Sequence, residues 1–221
     1  MQLPDGPILE AGCGKGRIII YYHKQHRPIM GMDFITSALS AIKERDNTIP
    51  LISADIKNMP FIDDTFSAVL AFGLYHNLHN GLDDALQDTH RILKNNGVLC
   101  ASTRMDNIQN YITDIIAARK YKHNGARNLD FHKLNLKKNE IKELFEKHNF
   151  SIESIEYVEN MPFLYKFRLF RHHTHRKFDE KAARMEGYRL STAAKHFQYR
   201  LIKYFPHHFC NLAIITVKSL K

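Results

Sequence analysis

Cysteine is scarce and scattered in this sequence of 221 residues, which holds three cysteines, Cys13, Cys100 and Cys210. Their number is odd and none stands in a CxxC spacing, so the sequence predicts neither a disulfide framework nor a cysteine metal site. No apolar run approaches the roughly 18 residues of a membrane-spanning helix, and no signal peptide precedes the first predicted strand. These absences favour a reducing cytoplasm as the location.

Negative charge is scarce in the last third of the chain. Between Pro162 and Phe209 there are eleven Lys and Arg residues against three acidic ones, while the whole chain has a formal net charge of +9. The remaining sequence is therefore close to charge balance. The length and the 44% hydrophobic content predict a single domain, residues 1–221, with an α/β core that needs no disulfide or metal.

A glycine-rich stretch near the start of the chain is the most informative motif. Residues 8–17 read Ile-Leu-Glu-Ala-Gly-Cys-Gly-Lys-Gly-Arg, a pattern typical of a buried strand, a tight turn and the start of a helix. Glycines at positions 12, 14 and 16 allow positive φ and let a ligand lie directly against the backbone. The stretch therefore predicts a ligand-binding loop.

The spacing and charge of this loop restrict its ligand. A P-loop closes with Gly-Lys-Ser or Gly-Lys-Thr, which is missing here. A pyrophosphate-binding turn has two residues between its last glycines, where this loop has one. Glu10 ends the strand with a negative charge, which favours a cationic ligand over a pyrophosphate. The loop therefore favours a nucleoside that carries an ammonium and a sulfonium group.

Two further acids follow predicted strands. Asp33 lies 21 residues beyond Gly12, at the usual place of a carboxylate that accepts hydrogen bonds from ribose hydroxyls. The alternative is that Asp33 caps the helix predicted over residues 37–45. Asp55 ends the strand predicted over residues 49–56, where it is either a ligand contact or a turn residue.

The motif Glu-x-Gly-Cys-Gly-x-Gly resembles motif I of the class I S-adenosylmethionine-dependent methyltransferases. The likeness covers about residues 7–105 by motif. His90 to Gly97 is similar to the family's Arg-x-Leu-Lys-Pro-Gly-Gly, with Asn95 and Asn96 at the turn, where asparagine tolerates left-handed geometry. The resemblance implies S-adenosylmethionine as the cofactor and places Asp55 near its adenine amino group.

The resemblance also implies which residues form the cofactor site, at the carboxyl ends of the first four strands. The residues expected to contact the cofactor are Glu10, Gly12, Cys13, Gly14, Gly16, Asp33, Phe34, Ala54, Asp55, Ile56, Phe72, Gly73 and Tyr75. No metal is expected.

Two histidines follow the fourth predicted strand, Phe66 to Leu74. Ligands of a parallel sheet bind beyond the carboxyl ends of its strands, so Gly73, Tyr75 and His76 are expected where the methyl group meets its acceptor. His76 and His79 are the titratable groups here with pKa values near neutrality, and His76 is the predicted catalytic base. The alternative is a structural His76 that packs or forms a hydrogen bond.

Hydrophobic periodicity supplies the other elements. Helices are predicted at 17–25, 37–45, 82–93, 107–120, 136–150 and 182–204, strands at 28–34, 49–56, 66–74, 98–102, 151–158 and 211–218, and a loop at 124–131. The predicted fold class is α/β, with a Rossmann-like, seven-stranded, mostly parallel sheet and helices on both faces. By the resemblance, the last strand is antiparallel and lies between the fifth and sixth. A helical segment inserted before it, residues 161–210, is called the lid.

The lid interleaves basic and aromatic residues, such as Lys166, Arg168 and Arg171 among the aromatic side chains of 163–170. Three interpretations are open: a solvated basic face with the aromatic rings in the core, a site for an anionic small substrate or lipid head group, and RNA or DNA binding through phosphates and stacking. No known nucleic-acid module is visible, which disfavours the last.

Together these features predict a methyltransferase that acts on a small-molecule, lipid or glycan acceptor of anionic character. Peripheral membrane contact is compatible with this prediction. The alternatives are an RNA methyltransferase and a non-catalytic adaptor or cofactor-binding protein of the same fold. Only seven residues precede the first strand, where the family usually carries helices that cover the cofactor, and this keeps the non-catalytic alternative open.

Overall fold

The structure is a computed structural model that describes residues 3–123, 133–173 and 187–221, with residues 117 and 119–123 described by their backbone alone. The strands are β1 Ile8–Ala11, β2 Ile29–Asp33, β3 Leu51–Ser53, β4 Phe66–Ala71, β5 Leu93–Met105, β6 Asn135–Leu136, β7 Phe150–Val158 and β8 Leu212–Ser219. The helices are α1 Arg17–His23, α2 Thr36–Lys43, α3 Leu82–Ile92, α4 Ile108–His123, α5 Lys138–Lys147, α6 Thr192–Tyr204 and α7 Pro206–Phe209.

One sheet runs through the molecule in the order β3-β2-β1-β4-β5-β8-β7. Strands β1 to β5 pair in parallel, and β8 lies antiparallel between β5 and β7. The predicted fold class is confirmed, including the antiparallel last strand, β8, between β5 and β7. The carboxyl ends of β1 to β5 therefore meet along one edge of the sheet, where ligands of such folds bind.

The two-residue strand β6 is an addition to the predicted sheet. It pairs in parallel with Arg104 and Met105 of β5. Arg104 also pairs with Leu212 of β8, so β6 must lie along the opposite edge of β5, the edge that β4 occupies as far as Ala101. β6 thus lies beyond the carboxyl end of β4.

Both faces of the sheet are buried, because successive side chains of a strand point to opposite faces. In β1, Ile8 belongs to the hydrophobic cluster that contains Ile19 of α1 and Ile42 of α2. Its neighbour Leu9 belongs to the cluster on the other face, with residues of α3 and α5 such as Phe145. Helices therefore cover both faces, as predicted.

The lid has a small hydrophobic cluster of its own. Phe163, Leu164, Tyr165, Leu190 and Ala194 are buried in it. Ile112 of α4 packs against this cluster. The described parts of the lid, 161–173 and 187–210, are therefore tied to α4.

Several predicted element boundaries are wrong, each for a local reason. The third strand stops at Ser53, because the Asp55 carboxylate accepts the amide N–H of Lys57 and starts a turn. The fourth strand stops at Ala71, ahead of Gly73, whose φ is +77°. Helix α5 ends at Lys147, just before Asn149 at a φ of +58°.

The helix predicted over residues 182–204 begins later among the described residues, at Thr192, where the Ser191 hydroxyl accepts the amide N–H of Ala194. The predicted residues 182–186 and the predicted loop 124–131 lie outside the described residues. The left-handed turn expected at Asn95 and Asn96 is confirmed, since Asn96 has a φ of +59°. Within the described ranges, no helix is long and apolar enough to cross a membrane.

Arg91 at the end of α3 holds the segment that precedes β4. Its guanidinium donates to the backbone carbonyls of Met59 and Phe61 at 3.0 and 2.6 Å, and to the carboxylates of Asp63 and Asp88 at 2.8 and 2.7 Å. A planar group with five N–H donors can satisfy several acceptors at once, which a lysine cannot. Arg91 therefore has a structural role.

We predict that Arg91→Ala lowers the free energy of unfolding by about 2–3 kcal/mol, since it leaves two carbonyls and Asp88 without their donor. Arg91→Lys should recover only part of the loss. Urea denaturation measures both. Lys142→Ala on the exposed face of α5, which removes a surface ion pair at 3.6 Å, is the control and should change stability by about 0.5 kcal/mol or less. A loss in Arg91→Ala no larger than in this control would contradict the assignment.

Candidate functional site

A cleft of about 500 Å³ lies at the carboxyl ends of β1 to β4. The predicted site residues that line it are Gly12, Asp33, Phe34, Ala54, Asp55, Ile56 and Gly73. A second cavity, of about 320 Å³, lies on the other side of Gly12 and is lined by Glu10, Cys13 and Phe72. The two cavities share Gly12, so the glycine loop forms the wall between them.

The glycine loop approaches β2 closely. The amide N–H groups of Gly12 and Cys13 both donate to the carbonyl of Met32, at 2.8 and 3.0 Å. Gly12 has a φ of +70°, a conformation in which other residues are strained. Gly16 precedes α1 at a φ of +79°, and a Cβ there would lie 2.7 Å from Ile42. These positions need glycine for backbone geometry and for close packing.

Asp33 connects the end of β2 to the glycine loop. Its Oδ2 accepts the amide N–H of Gly14 at 2.7 Å, and its Oδ1 accepts that of Ile35 at 2.9 Å. The N-cap of α2 is Ile35 rather than Asp33, so the helix-cap alternative does not describe its role. A carboxylate has about four acceptor sites, and two of them are left for ligand hydroxyls on the cleft side.

Glu10 is a buried acid, 4% exposed, at the end of β1. Its Oε2 has no hydrogen-bond partner among the described residues. Burial raises its pKa to about 8, and the nearby Asp33 charge adds to the rise, while the Ile19 amide and Arg17 lower it. An oxygen of this kind, beside a cavity, is suited to a cationic group.

Asp55 combines the two roles that the sequence left open. Its Oδ1 accepts the amide N–H of Lys57 at 3.0 Å, and the Lys57 ammonium lies 3.4 Å from Oδ2. It is therefore a turn residue, yet it also lines the cleft. The Phe34 side chain also lines the cleft and is 75% exposed, so its ring is accessible to a ligand there.

Tyr75 lies below the cleft rather than in it. Its side chain is 2% exposed, and its hydroxyl shares a hydrogen bond of 2.8 Å with the Thr89 hydroxyl. Burial raises the pKa of the phenol, which keeps it neutral. The 3₁₀ turn Tyr75–Asn77 directs the ring into the core, so a contact of Tyr75 with the cofactor, which stays a prediction, would have to come from its backbone.

His76 is also buried, at 7% exposure. Its Nδ1 donates to the carbonyl of Ser102 at 3.1 Å, so Nε2 carries the lone pair when the ring is neutral. Burial lowers its pKa, which favours that neutral form. The ring borders a cavity of about 10 Å³ that is otherwise lined mostly by apolar side chains, including Leu134 and Leu136. Catalysis by His76 stays a prediction.

The sequence missed several cleft residues on the segment after β4. His79, named as the second candidate base, lines the cleft and is exposed. Leu74, Asn77, Leu78 and Asn80 line it too. The sequence held a signal that could have identified these cleft residues, because the whole segment follows the carboxyl end of a buried strand. Within the described ranges, no group of three or more potential metal ligands converges.

Comparisons with known proteins agree with this geometry. Residues 9–101 match the model of the methyltransferase domain family. The matched residues are fewer than half of the chain, and they are similar to a methyltransferase domain. Its similarity to an uncharacterized methyltransferase YodH of Bacillus subtilis is 33% identity over 100 residues, 43% of this chain and 42% of that protein.

A malonyl-[acyl-carrier protein] O-methyltransferase of Legionella pneumophila is 30% identical over 131 residues, 56% of this chain and 45% of that protein. The chain therefore spans less than half the length of these curated relatives. A solved S-adenosylmethionine-dependent methyltransferase from Methanosarcina mazei superposes with a TM-score of 0.66 at 13% identity, over 100% of this chain and 94% of that one. Structural likeness at this identity shows the fold alone.

We predict that Glu10 makes the stability of the protein depend on pH. The pKa is raised in the folded state to about 8 from 4.5, so the stability gained by the protonated carboxyl is complete below about pH 4.5 and is lost as the pH rises through 8. Glu10→Gln removes this dependence. It should make the protein more stable than wild type above pH 8, by an amount on the order of 3 kcal/mol.

Urea unfolding at a series of pH values measures the effect. Glu143→Gln, an exposed position on α5, is the matched control and should follow the wild-type curve. A Glu10→Gln protein with the same dependence on pH as wild type would show that Glu10 is ionised in the fold.

Proposed function

We propose that the protein binds S-adenosylmethionine in the cleft and transfers its methyl group to a small anionic acceptor. The single observation that supports this best is the convergence of three acids, Glu10, Asp33 and Asp55, from adjacent parallel strands around one glycine loop. A retired site would have no physical need for this charge arrangement. It matches a cationic nucleoside better than a pyrophosphate.

The available contacts fit the cofactor's parts. The unpartnered, buried Oε2 of Glu10 suits an amino group, and a cation there would lower the pKa of the carboxyl. The two remaining acceptor sites of Asp33 suit a ribose diol. Asp55 with Ile56 and Phe34 offers a polar edge and an apolar wall for a purine ring. The bound cofactor supplies an electrophilic methyl group.

The protein's own contribution is position and exclusion of water. The segment after β4 is held from below by the Ser102 hydroxyl, which accepts the amide N–H of Gly73 at 2.8 Å. Asn77 donates to the carbonyl of Gly73 and completes a rigid turn at the cleft. A fixed wall on which an acceptor can align with the methyl group lowers the entropic part of the barrier.

The anionic character of the acceptor is supported by charge. Residues 187–221 contain no Asp or Glu, and residues 160–173 contain none either, so the described lid is uniformly cationic. The Legionella relative is named for a malonyl-[acyl-carrier protein] acceptor, and a malonyl group ends in a carboxylate. A small or lipid-type acceptor with an acidic group is our choice.

A second candidate function is methylation of RNA, which one observation favours. Helix α6 exposes the aromatic residues Phe197, Tyr199 and Tyr204 and the basic residues Lys195, Arg200 and Lys203, and the Lys203 ammonium lies 5.9 and 5.7 Å from the Tyr199 and Tyr204 rings. Aromatic side chains that stack on bases and cations that contact phosphates are the means by which single strands are bound. The third possibility is a protein that binds the cofactor without catalysis.

We predict that Asp33→Asn weakens the affinity for S-adenosylmethionine roughly ten- to a hundredfold, because a charge-assisted hydrogen bond is lost while the shape is kept. Isothermal titration calorimetry measures the dissociation constants. Glu143→Gln removes an equal charge from α5 and should bind as wild type does. An unchanged affinity in a folded Asp33→Asn protein would mean that Asp33 serves only to hold the glycine loop.

Methyl transfer from cofactor with a labelled methyl group, to fractions of small molecules, lipids and RNA, tests the reaction itself. We expect label in an acidic small-molecule or lipid fraction, and roughly five- to fiftyfold less of it with Asp33→Asn at a cofactor concentration near the wild-type dissociation constant. Label in RNA, lost when Lys195, Arg200 and Lys203 are changed to Gln, would select the RNA alternative. Cofactor binding without label in any fraction would select the non-catalytic one.

A further inference from the structure

Three buried polar atoms without a hydrogen-bond partner among the described residues lie beyond the carboxyl end of β5. They are Nε of Arg104, Oε1 of Gln109 and Oδ1 of Asn135. A buried donor or acceptor that has lost water and gained no partner costs free energy, so native structures contain few of them. Arg104 and Asn135 are paired residues of β5 and β6, and Gln109 lies on the helix that follows β5, so these three atoms are candidates for ligand contacts.

Arg104 is the charged member of this set, and its residue is 9% exposed. Its Nη2 donates to both oxygens of Asp114, at 3.0 and 3.4 Å. The contact uses a single nitrogen, so Arg104 does not form the two parallel N–H···O bonds with Asp114 that a guanidinium can form with a carboxylate. Asp114 also accepts the Asn135 amide N–H at 3.1 Å, and its own side chain is 50% exposed. Asp114 therefore orients Arg104 and Asn135 at the solvent boundary.

The position of Arg104 relates it to the cleft. Side chains two residues apart on a strand share a face and are about 7 Å apart, so Arg104 lies one step beyond Ser102 on the same face of β5. Ser102 is the residue whose hydroxyl holds Gly73 at the cleft wall. Asn135 lies on β6, along the edge that β4 leaves free at Ala101. The unpartnered atoms of Arg104 and Asn135 thus adjoin the end of β4.

The lid adds a second cation on this side. Lys166 donates to the carbonyl of Gln109 at 2.8 Å, and Asp114, Arg104 and Glu159 are the charges that act on it. Burial lowers the pKa of Lys166 to about 7, which an incoming anion would reverse. Burial also raises the pKa of Glu159 to about 7, so the charges of Lys166 and Glu159 change over the same pH range. The donor that stays without a partner in this cluster is Nε–H of Arg104.

We propose that Arg104 and Lys166 bind the anionic group of the methyl acceptor, with Asn135 and Gln109 accepting hydrogen bonds from its hydroxyl or amide groups. This inference rests on the proposed function in one respect, that the bound anion belongs to the methyl acceptor. The existence of the anion site does not depend on that function. The ligand class is a carboxylate or a phosphate monoester that also carries a hydrogen-bond donor. Residues on β5, β6, α4 and the lid would hold it beside Gly73.

The experiment uses malonate and inorganic phosphate as probes on the full chain. The Arg104 Nε–H resonance is followed by ¹H–¹⁵N NMR and assigned from Arg104→Lys, which keeps the charge and lacks that group. We expect the resonance to shift with malonate or phosphate, and not with chloride at equal ionic strength. Calorimetry should show that Arg104→Gln weakens the affinity for the responsive anion roughly ten- to a hundredfold.

Lys142→Gln on the exposed face of α5 removes the same charge and is the matched control, expected to bind the anion as wild type does. A response to malonate alone would assign a carboxylate, and a response to phosphate alone a phosphate. No shift of the Arg104 resonance with either anion would overturn the proposal, as would equal affinities of wild type and Arg104→Gln. If Arg104→Gln does not fold, the presence or absence of a shift in the wild-type Arg104 resonance still tests the proposal.

Cofactor affinity measured on the same samples separates this proposal from the proposed function. Anion binding at Arg104 without any binding of S-adenosylmethionine would overturn the proposed function and leave the anion site standing. Cofactor binding without an anion response at Arg104 would overturn the anion site alone.

Discussion

The arrangement of the site depends on one hydrogen bond, from the amide N–H of Gly14 to the carboxylate of Asp33. It ties the glycine loop after β1 to the end of β2 and holds the three left-handed glycines in place. The same carboxylate accepts the Ile35 amide at the start of α2. Asp33 therefore sets the distance between the loop and the second strand, and with it the width of the cleft.

The proposed cofactor site and the proposed acceptor site differ in their charged residues, and they would attract molecules of opposite charge. The cleft at β1 to β3 is acidic, with the buried Glu10 beside it, whereas the region beyond β5 gathers Arg104 and Lys166. A cationic cofactor and an anionic acceptor would thus be drawn to neighbouring sites, each with an unpartnered buried group. Between the two lies Gly73, held by Ser102.

Much of the fold could be predicted because its signals are local. The glycine loop and the acids at the ends of β1, β2 and β3 are encoded within single strand–turn units, and the structure brings ten of the thirteen predicted contacts to the two cavities. Gly14 and Gly16 shape the loop without being among the residues that line these cavities. The family resemblance, and not a local signal, implied the place of β8 between β5 and β7.

What could not be predicted depends on residues distant in the chain. The burial of His76 follows from the carbonyl of Ser102 and from Leu134, whose amide N–H donates to the carbonyl of His76. Arg104 lay beyond the predicted fifth strand, 98–102, and the sequence assigned it no role. Its partners Asp114 and Asn135 come from α4 and from a two-residue strand with no pattern of its own. The inward orientation of the Tyr75 ring is likewise non-local, because the Tyr75 hydroxyl shares a hydrogen bond with the Thr89 hydroxyl of α3.

The most direct test of the account is a crystal structure of the protein with S-adenosylhomocysteine, the demethylated cofactor. The account predicts ribose hydroxyls within hydrogen-bond distance of Asp33, the purine ring between Phe34 and Ile56, and the amino group beside Oε2 of Glu10. A ligand bound elsewhere, or a ribose turned away from Asp33 with Glu10 still unpartnered, would contradict it.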